Sequence, residues 1–257
     1  GYVERGDQTI SAMEQLSKSL VEIFDGIAKT FGKTAGYEVA VAFADDTSKD
    51  GAWGAFAVRL QGVEILNWDD FRQSKWAPKE FGDGEEGYKQ YLAAIAKDTR
   101  QVLLNMDLPS WADQILTDLG ESASIESLST AVQQIGVIKG VFDTMTNTLV
   151  ELSGASDETL AALMTLSGGV EALRANATAY YQNFYSAEEQ RANVQKQLAK
   201  SFKELGLSMI DIDATDARQQ FRDLVEKQDL TTESGRKAYA ALLAMAGTFA
   251  SVTTEVT

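Results

Sequence analysis

The sequence predicts a mainly α-helical protein of the α+β class, with one small antiparallel β-meander near its N-terminus. Three observations predict this class. Most of the chain places apolar residues three or four positions apart, which is the period of an amphipathic helix. Residues 37–67 instead alternate apolar residues with small or polar ones, which is the period of a strand. The 257 residues include only two prolines, which suits long helices.

An N-terminal helix is predicted from a continuous apolar stripe. Asp7 is placed to cap this helix, and Gly32 and Gly36 are placed to end it. Intervals of three and four residues put the whole stripe on one face, so the helix needs a partner, for which we favour the strands that follow. The stripe consists of Ile10, Met13, Leu16, Leu20, Ile23, Phe24, Ile27 and Phe31.

Three short strands are predicted next. The second and third run over 53–60 and 63–67, and Gln61-Gly62 between them fits a two-residue hairpin turn. Three strands cannot stand alone in water, so we expect the sheet to pack against a helix. The first strand is marked by large apolar residues at alternate positions, Tyr37, Val39, Val41 and Phe43.

The remaining chain is predicted to form a multi-helix array. Ser110 with Asp113, Ser156 with an acidic first turn, and Ser186 with Glu189 are candidate helix caps. A change in character near residue 153 predicts two domains, a mixed α+β unit over 1–153 and an all-helical segment over 154–257. The predicted helices cover about 85–105, 110–120, 124–152, 156–185 with a kink or break at its paired glycines, 186–206, and a pair within 221–252.

Two residue types that carry much enzyme chemistry are absent from the chain. It has no cysteine, and therefore no disulfide, thiol nucleophile or thiolate metal site. It also has no histidine, the commonest general base and metal ligand in proteins. Histidine-dependent serine hydrolase and zinc hydrolase sites are thereby excluded from this sequence. We predict no catalytic residue, no metal site and no cofactor.

The charge and hydropathy of the chain restrict its partners. A formal net charge of −15 argues against specific nucleic-acid binding, because phosphate backbones bind clustered Lys and Arg. No stretch approaches the roughly 20 apolar residues that a membrane span requires. The most apolar window, 238–250, is short and rich in alanine, so we predict a buried helix there.

A run of aromatic residues between positions 53 and 91 has two interpretations. Flat rings stack on sugars, which would suit a carbohydrate-binding module. Large aromatic side chains also dominate buried area in general, and we favour this second interpretation, the core of a small sheet-and-helix unit. The run consists of Trp53, Phe56, Trp68, Phe71, Trp76, Phe81, Tyr88 and Tyr91.

Carboxylates in the same region raise two further hypotheses. Asp45, Asp46 and Asp50 lack the spacing of an EF-hand calcium loop and predict a solvated turn. A cell-wall (peptidoglycan) hydrolase would need two carboxylates on opposite sides of a sugar bond. Nothing in the spacing singles out such a pair, so this enzyme remains an alternative to a non-enzymatic role. The candidate acids are Glu64, Asp69, Asp70, Asp83, Glu85 and Glu86.

The last third of the chain carries a distinctive set of residues over 168–190 and 228–250. The marks of this part of the chain are Gly168, Gly169, Tyr180, Tyr181, Phe184, Tyr185, Ser186, Phe221, Leu224, Asp229, Thr231 and Thr232. With these marks, the two stretches resemble the C-terminal region of phage tail-length tape measure proteins, the minor tail proteins of long-tailed phages.

The resemblance implies a structural, non-enzymatic virion component that determines tail length, takes part in tail assembly and leaves the tail ahead of the genome. The implied location is the lumen of the tail tube, with the host cytoplasm as the place of assembly. The implied partners are further copies of the chain and other tail proteins (tube, tip or baseplate, chaperones), with transient membrane or cell-wall contact during ejection. The family has no catalytic motif in this region, so the resemblance implies no active-site residue.

Two further points bear on the function. The chain begins at Gly1 without an initiator methionine, so we expect a fragment of a longer protein. A helix advances about 1.5 Å per residue and can convert residue number into length, but short capped helices favour a folded terminal module over a continuous ruler. A helical adaptor or interaction domain with no viral connection would carry the same apolar stripes and is a third hypothesis.

Overall fold

The computed structural model of the chain describes residues 2–45, 52–68, 79–82 and 84–253. These residues form a mainly helical protein with one small antiparallel sheet, which confirms the predicted fold class. Strands come early in the chain and helices follow. The elements are α1 (Tyr2–Thr30), β1 (Tyr37–Asp45), β2 (Ala52–Leu60), β3 (Val63–Asn67), β4 (Lys79–Phe81), α2 (Gly84–Leu104), α3 (Ser110–Asp118), α4 (Ile125–Thr148), α5 (Asp157–Leu166), α6 (Val170–Phe184), α7 (Ala187–Glu204), α8 (Ala217–Glu226) and α9 (Glu233–Val252), with a 3-10 turn at Val150–Leu152 after α4.

The chain divides into two compact units, which we describe separately. Unit 1 comprises residues 1–143 and 156–170, and unit 2 comprises residues 144–155 and 171–257. The sequence instead predicted one boundary between residues 153 and 154. Helix α5 packs against α3 and is therefore described with the sheet-containing unit.

The sheet of unit 1 is organised around β2. Strand β1 pairs antiparallel with β2 along its whole length, and β3 pairs with the second half of β2. Gln61 and Gly62 connect β2 to β3 with positive φ angles of 50° and 79°, as the predicted hairpin turn requires. The three predicted strands are confirmed. A fourth strand, β4, was not predicted, because three residues are too few to show an alternating pattern, and it pairs with the start of β2.

Helices α1 and α2 cover one face of this sheet. Phe24 of α1 stacks on Tyr37 at a centroid distance of 5.2 Å, and Tyr91 of α2 lies over Gly54 of β2. A Cβ atom at Gly54 would come within 2.4 Å of the Tyr91 ring, so this contact requires glycine. In the predicted α1 stripe, the five members from Leu16 to Ile27 are buried, Met13 and Phe31 are half-buried, and Ile10 is exposed.

Unit 2 is built on a core shared by α7, α8 and α9. Phe202, Phe221 and Phe249, one from each helix, meet with centroid distances of 4.5 to 6.5 Å. Around them lie the apolar residues of α7 and its C-terminal end, spaced three or four positions apart. Leu198 is 2% exposed, and Val194 and Leu205 are partly buried. Helix α7 carries many charged residues, and the burial of its apolar side against α8 and α9 stabilises it in unit 2.

Two predicted helix starts are wrong. Helix α1 begins at Tyr2, so Asp7 lies inside the helix and is not its cap. Helix α3 has Pro109 at its N-cap, because proline already supplies the extended backbone that precedes a first turn, and Ser110 lies inside the helix. Asp113, its expected partner, has one buried oxygen without a hydrogen bond among the described residues. Burial, with the neighbouring Asp107 carboxylate, raises the pKa of Asp113.

Candidate functional site

The residues that carry the family resemblance fall into two groups. One group ends helices, caps helices or packs in the core, and the other lies at the surface. Gly168 and Gly169 belong to the first group. They have φ angles of 85° and 120°, which side-chain-bearing residues rarely adopt. Gly169 N donates to the carbonyl of Met164 at 2.9 Å and thereby ends α5, and α6 begins at the next residue. The predicted break at this glycine pair is confirmed.

Ser186 and Glu189 form the capping box that the sequence predicts at the start of α7. The Ser186 hydroxyl accepts from the backbone N–H of Glu189, and the Glu189 carboxylate accepts from the backbone N–H of Ser186 at 2.8 Å. The hydrogen bonds from the Ser186 backbone and hydroxyl lower the pKa of Glu189. At the other end of the helix, Gly206 has a φ of 68°, which confirms the predicted glycine stop.

The segment from Asp229 to Thr232 builds the turn that starts α9. Asp229 accepts hydrogen bonds from the Thr231 backbone at 2.9 Å and hydroxyl at 2.6 Å, which lower its pKa. Thr232 is the N-cap and accepts from Gly235 N at 3.0 Å. A Cβ at Gly235 would lie 1.9 Å from the Asp229 carbonyl, so glycine is required here. The sequence analysis missed Gly235, although its position three residues after Thr232 was a visible signal.

Phe221 and Leu224 belong to the core of unit 2. The Phe221 ring stacks on Phe249 at 4.5 Å and is 7% exposed, and Leu224 packs against the same cluster while half-buried. These two residues therefore serve helix packing.

The aromatic cluster of α6 and its end consists of Tyr180, Tyr181, Phe184 and Tyr185. Two members are anchored by polar contacts within unit 2. The Tyr185 hydroxyl donates to Glu151 Oε2 at 3.1 Å. The Tyr181 hydroxyl accepts from Asn193 Nδ2 at 3.3 Å, and the same amide donates to the Thr148 carbonyl at 3.2 Å. Sequence analysis did not single out Asn193, because a polar residue on a charged helix gives no sign that it will be 9% exposed.

The other two members form an aromatic pair at the surface. Tyr180 and Phe184 stack at a centroid distance of 5.2 Å with an interplanar angle of 27°. Tyr180 is 43% exposed and Phe184 is 74% exposed. The helix that carries them is lightly covered, since Leu173 is its one buried residue. Exposed large rings on a rigid helix are the residue types that anchor protein–protein contacts.

The chemistry available to this surface is packing and stacking. Its rings offer π faces and, on the tyrosines, phenol hydroxyls, and the nearby carboxylates of Glu151 and Glu189 are engaged in hydrogen bonds. Among the residues with described positions, no group of three or more Asp and Glu side chains is arranged to hold a metal ion. No helix in that part of the chain is long and apolar enough to cross a bilayer.

The aromatic run between positions 53 and 91, the alternative candidate site, lies in unit 1. Phe56 is 1% exposed and Tyr91 is fully buried, whereas Trp53, Trp68, Phe81 and Tyr88 are half-buried around them. Trp68 donates from Nε1 to Asp98 Oδ2 at 2.6 Å. The rings of Phe56, Trp68, Phe81, Tyr88 and Tyr91 pack on one another, which supports the core interpretation for these five. Phe71 and Trp76 lie outside the described residues.

Of the carboxylates considered for catalysis, the structure describes Glu64, Glu85 and Glu86. Glu64 is exposed and accepts from Asn67 Nδ2 at 3.0 Å. Glu85 is exposed and pairs with Lys89 at 3.0 Å, and Glu86 is also exposed. The backbone of Asp45 ends β1. Asp46 and Asp50, which were considered with Asp45 for calcium, and Asp69, Asp70 and Asp83, which were considered for catalysis, lie outside the described residues.

Comparison of the chain with protein families, with curated proteins and with solved structures gave no match.

Proposed function

We propose that this chain is a structural component of a phage tail, a fragment of a tape measure protein that takes part in tail length determination, tail assembly and genome ejection. The observation that carries the proposal is the resemblance of residues 168–190 and 228–250 to the C-terminal region of those proteins. The proposed role is mechanical and not enzymatic, and its partners are further copies of the chain and other proteins of the tail. Its proposed place is the lumen of the tail tube.

The distribution of the resembling residues supports a mechanical role. Most of them end helices, cap helices or fill the core of unit 2, which is what a module that must keep its shape requires. The aromatic pair of Tyr180 and Phe184 is left over for contacts outside the unit. Its rings are held on a helix and supported by the anchored Tyr181 and Tyr185, so little conformational entropy is lost when a partner packs on them.

The arrangement favours a folded module at one end of a tape measure protein over a segment of the ruler itself. Unit 2 consists of helices of 10 to 20 residues that turn back on one another, so its length does not grow in proportion to residue number. Such a module acts by docking and release. The rest of the tape measure protein would supply the length.

An in-frame deletion separates these roles. Residues 171–253 are removed from the tape measure gene of a phage that encodes this chain, and tails are measured by electron microscopy. We expect absent or defective tails, which is the result for an assembly or ejection module. Tails shortened in proportion to the deleted residues would assign this segment to the ruler. Normal tails and normal infectivity would contradict the proposed function.

A double substitution tests the aromatic pair directly. Tyr180→Ala with Phe184→Ala removes both exposed rings, and we expect at least a tenfold loss of infective particles with the protein still folded. The matched control is Leu243→Ala, which removes a side chain that is 52% exposed on α9 of the same unit. Equal particle yields for the double variant and the control would contradict docking through the pair. Hydrolysis of purified peptidoglycan by the chain, abolished by Glu64→Gln or Glu85→Gln, would replace the proposal by the enzyme alternative.

A further inference from the structure

Among the strands that the structure describes, β1 lies at the edge of the sheet and pairs with β2 alone. In an antiparallel pair the N–H and C=O groups of one residue point to the same side, and successive residues point to opposite sides. Alternate residues of β1 therefore direct their backbone groups toward β2, and the others direct theirs toward the outer edge.

Two contacts with α1 identify the outward set. The N–H of Tyr37 donates to Asp25 Oδ1 at 3.0 Å, and the C=O of Val39 accepts from Ser17 Oγ at 2.7 Å. Because both partners belong to α1, Tyr37 and Val39 point away from β2. Val41 and Phe43 follow at the same alternation and point the same way. Helix α1 thus protects the first half of the edge.

The second half of the edge has no such protection. Within the described ranges, the outward N–H and C=O groups of Val41 and Phe43 have no hydrogen-bond partner. The strand also contains no lysine or proline, the residues that commonly guard exposed edges. An extended chain that continues the ladder is the protein partner that can pair with these N–H and C=O groups.

A groove runs beside the unpaired edge. It has a volume of ≈ 410 Å³ and lies between residues 39–43 of β1 and the side chains of Ile10, Met13, Glu14 and Ser17 on α1. Ile10 is 60% exposed, so the helical wall offers apolar surface. Residues 39–43 span about 13 Å, which accommodates four to five residues of an extended chain.

We propose that this groove binds an extended peptide segment of another protein, apolar and basic in alternation, which adds as a strand to the outer edge of β1. The backbone ladder supplies affinity, and the side chains that face α1 supply specificity. Glu14 is the one charged residue among the described residues that line the groove, and unit 1 carries most of the chain's formal net charge of −15. Both favour a basic segment. A second copy of β1 fits less well, because that strand contains Glu38 and Asp45 and no basic residue.

The test is a fluorescence-polarisation titration of the full chain with a labelled seven-residue peptide of alternating lysine and valine. Two analogues carry N-methyl groups, one on every lysine amide and the other on every valine amide. Only one set of amides faces β1, so we expect one analogue to bind like the parent and the other at least tenfold more weakly. A peptide with glutamate in place of lysine should also bind at least tenfold more weakly.

Two protein variants complete the test. Val41→Pro removes an outward N–H and leaves the β1–β2 ladder intact, so we expect it to lose peptide binding, whereas Val41→Ala keeps that N–H and should retain most of it. If circular dichroism shows that Val41→Pro does not fold, the comparison of the two methylated peptides still tests whether the peptide pairs with β1. Equal binding of both methylated analogues, no binding of the parent peptide, or a dimer in sedimentation that Val41→Pro abolishes would overturn the proposal.

Discussion

Aromatic residues cluster in both units of this chain, but the two clusters differ in burial. In unit 1, the ring of Tyr91 is fully buried, contacts the rings of four other residues and donates its hydroxyl to the carbonyl of Ala55. In unit 2, Tyr180 and Phe184 stack on each other at the surface. The first cluster closes a gap between a sheet and a helix. The second lies on a helix whose outer side no described residue of its own unit covers, so its rings remain exposed.

The comparison teaches that similar aromatic spacing in a sequence does not distinguish rings that become buried from rings that stay exposed. Burial raises the pKa of the Tyr91 hydroxyl, so that phenol stays neutral over the range in which proteins function. Its hydrogen bond to a backbone carbonyl satisfies it inside the core. Phe184 has no polar atom that needs a partner, and most of its ring meets solvent.

The largest expected effect is in the buried cluster. Tyr91→Ala should lower the free energy of unfolding of unit 1 by about 3–5 kcal/mol, because it leaves a large cavity. All four tryptophans lie before residue 112, so tryptophan fluorescence during urea unfolding reports on unit 1. Tyr91→Phe is the matched control and should cost about 0.5–1.5 kcal/mol, the value of one hydrogen bond. A cost below that of the control would mean that the ring is not packed as described.

The next effect concerns the turn before α9. Gly235→Ala should destabilise unit 2 by about 1–3 kcal/mol, because the new Cβ would collide with the Asp229 carbonyl and the turn must shift. Gly247→Ala, in open space on the same helix, should instead stabilise it by up to about 1 kcal/mol. Thermal unfolding followed by circular dichroism at 222 nm measures both. A change of the same sign in the two variants would contradict the close approach at Gly235.

A smaller effect is expected at the start of α7. Ser186→Ala removes the capping hydroxyl and should cost about 1 kcal/mol at pH 7. The hydrogen bonds from Ser186 lower the pKa of Glu189, so their contribution is complete above the ordinary glutamate pKa of 4.5 and is lost as the pH falls through the lowered value. The cost of Ser186→Ala measured by urea unfolding should therefore shrink between pH 7 and pH 3. A cost that grows on acidification would exclude the capping box.

The smallest effect on stability is expected at the exposed pair. Phe184→Ala should change the free energy of unfolding of unit 2 by no more than about 0.5 kcal/mol, since its ring is mostly in solvent already. Circular dichroism during urea unfolding measures it against the parent chain. A loss of 2 kcal/mol or more would show that Phe184 belongs to a core and would remove the contrast between the two clusters.

Signals that lie within a few residues of each other predicted most of the secondary structure. The capping box at Ser186, the stop at Gly206 and the turn at Gln61-Gly62 depend on contacts across two to five positions, and all three occur as expected. The same local logic failed at Asp7 and Ser110. A capping residue only permits a helix to begin and does not require it when the preceding residues are also compatible with a first turn.

The sequence by itself therefore determined the fold class, the two periodicities, and many of the caps and turns, because neighbours along the chain produce these features. The tertiary structure alone decided that α5 packs in unit 1, that Lys79–Phe81 pair with β2, and that Tyr91 is buried while Phe184 is exposed. Each of these outcomes depends on which distant element covers a given face. Apolar spacing shows that a face can be buried, but only packing between elements far apart in the sequence determines whether it is.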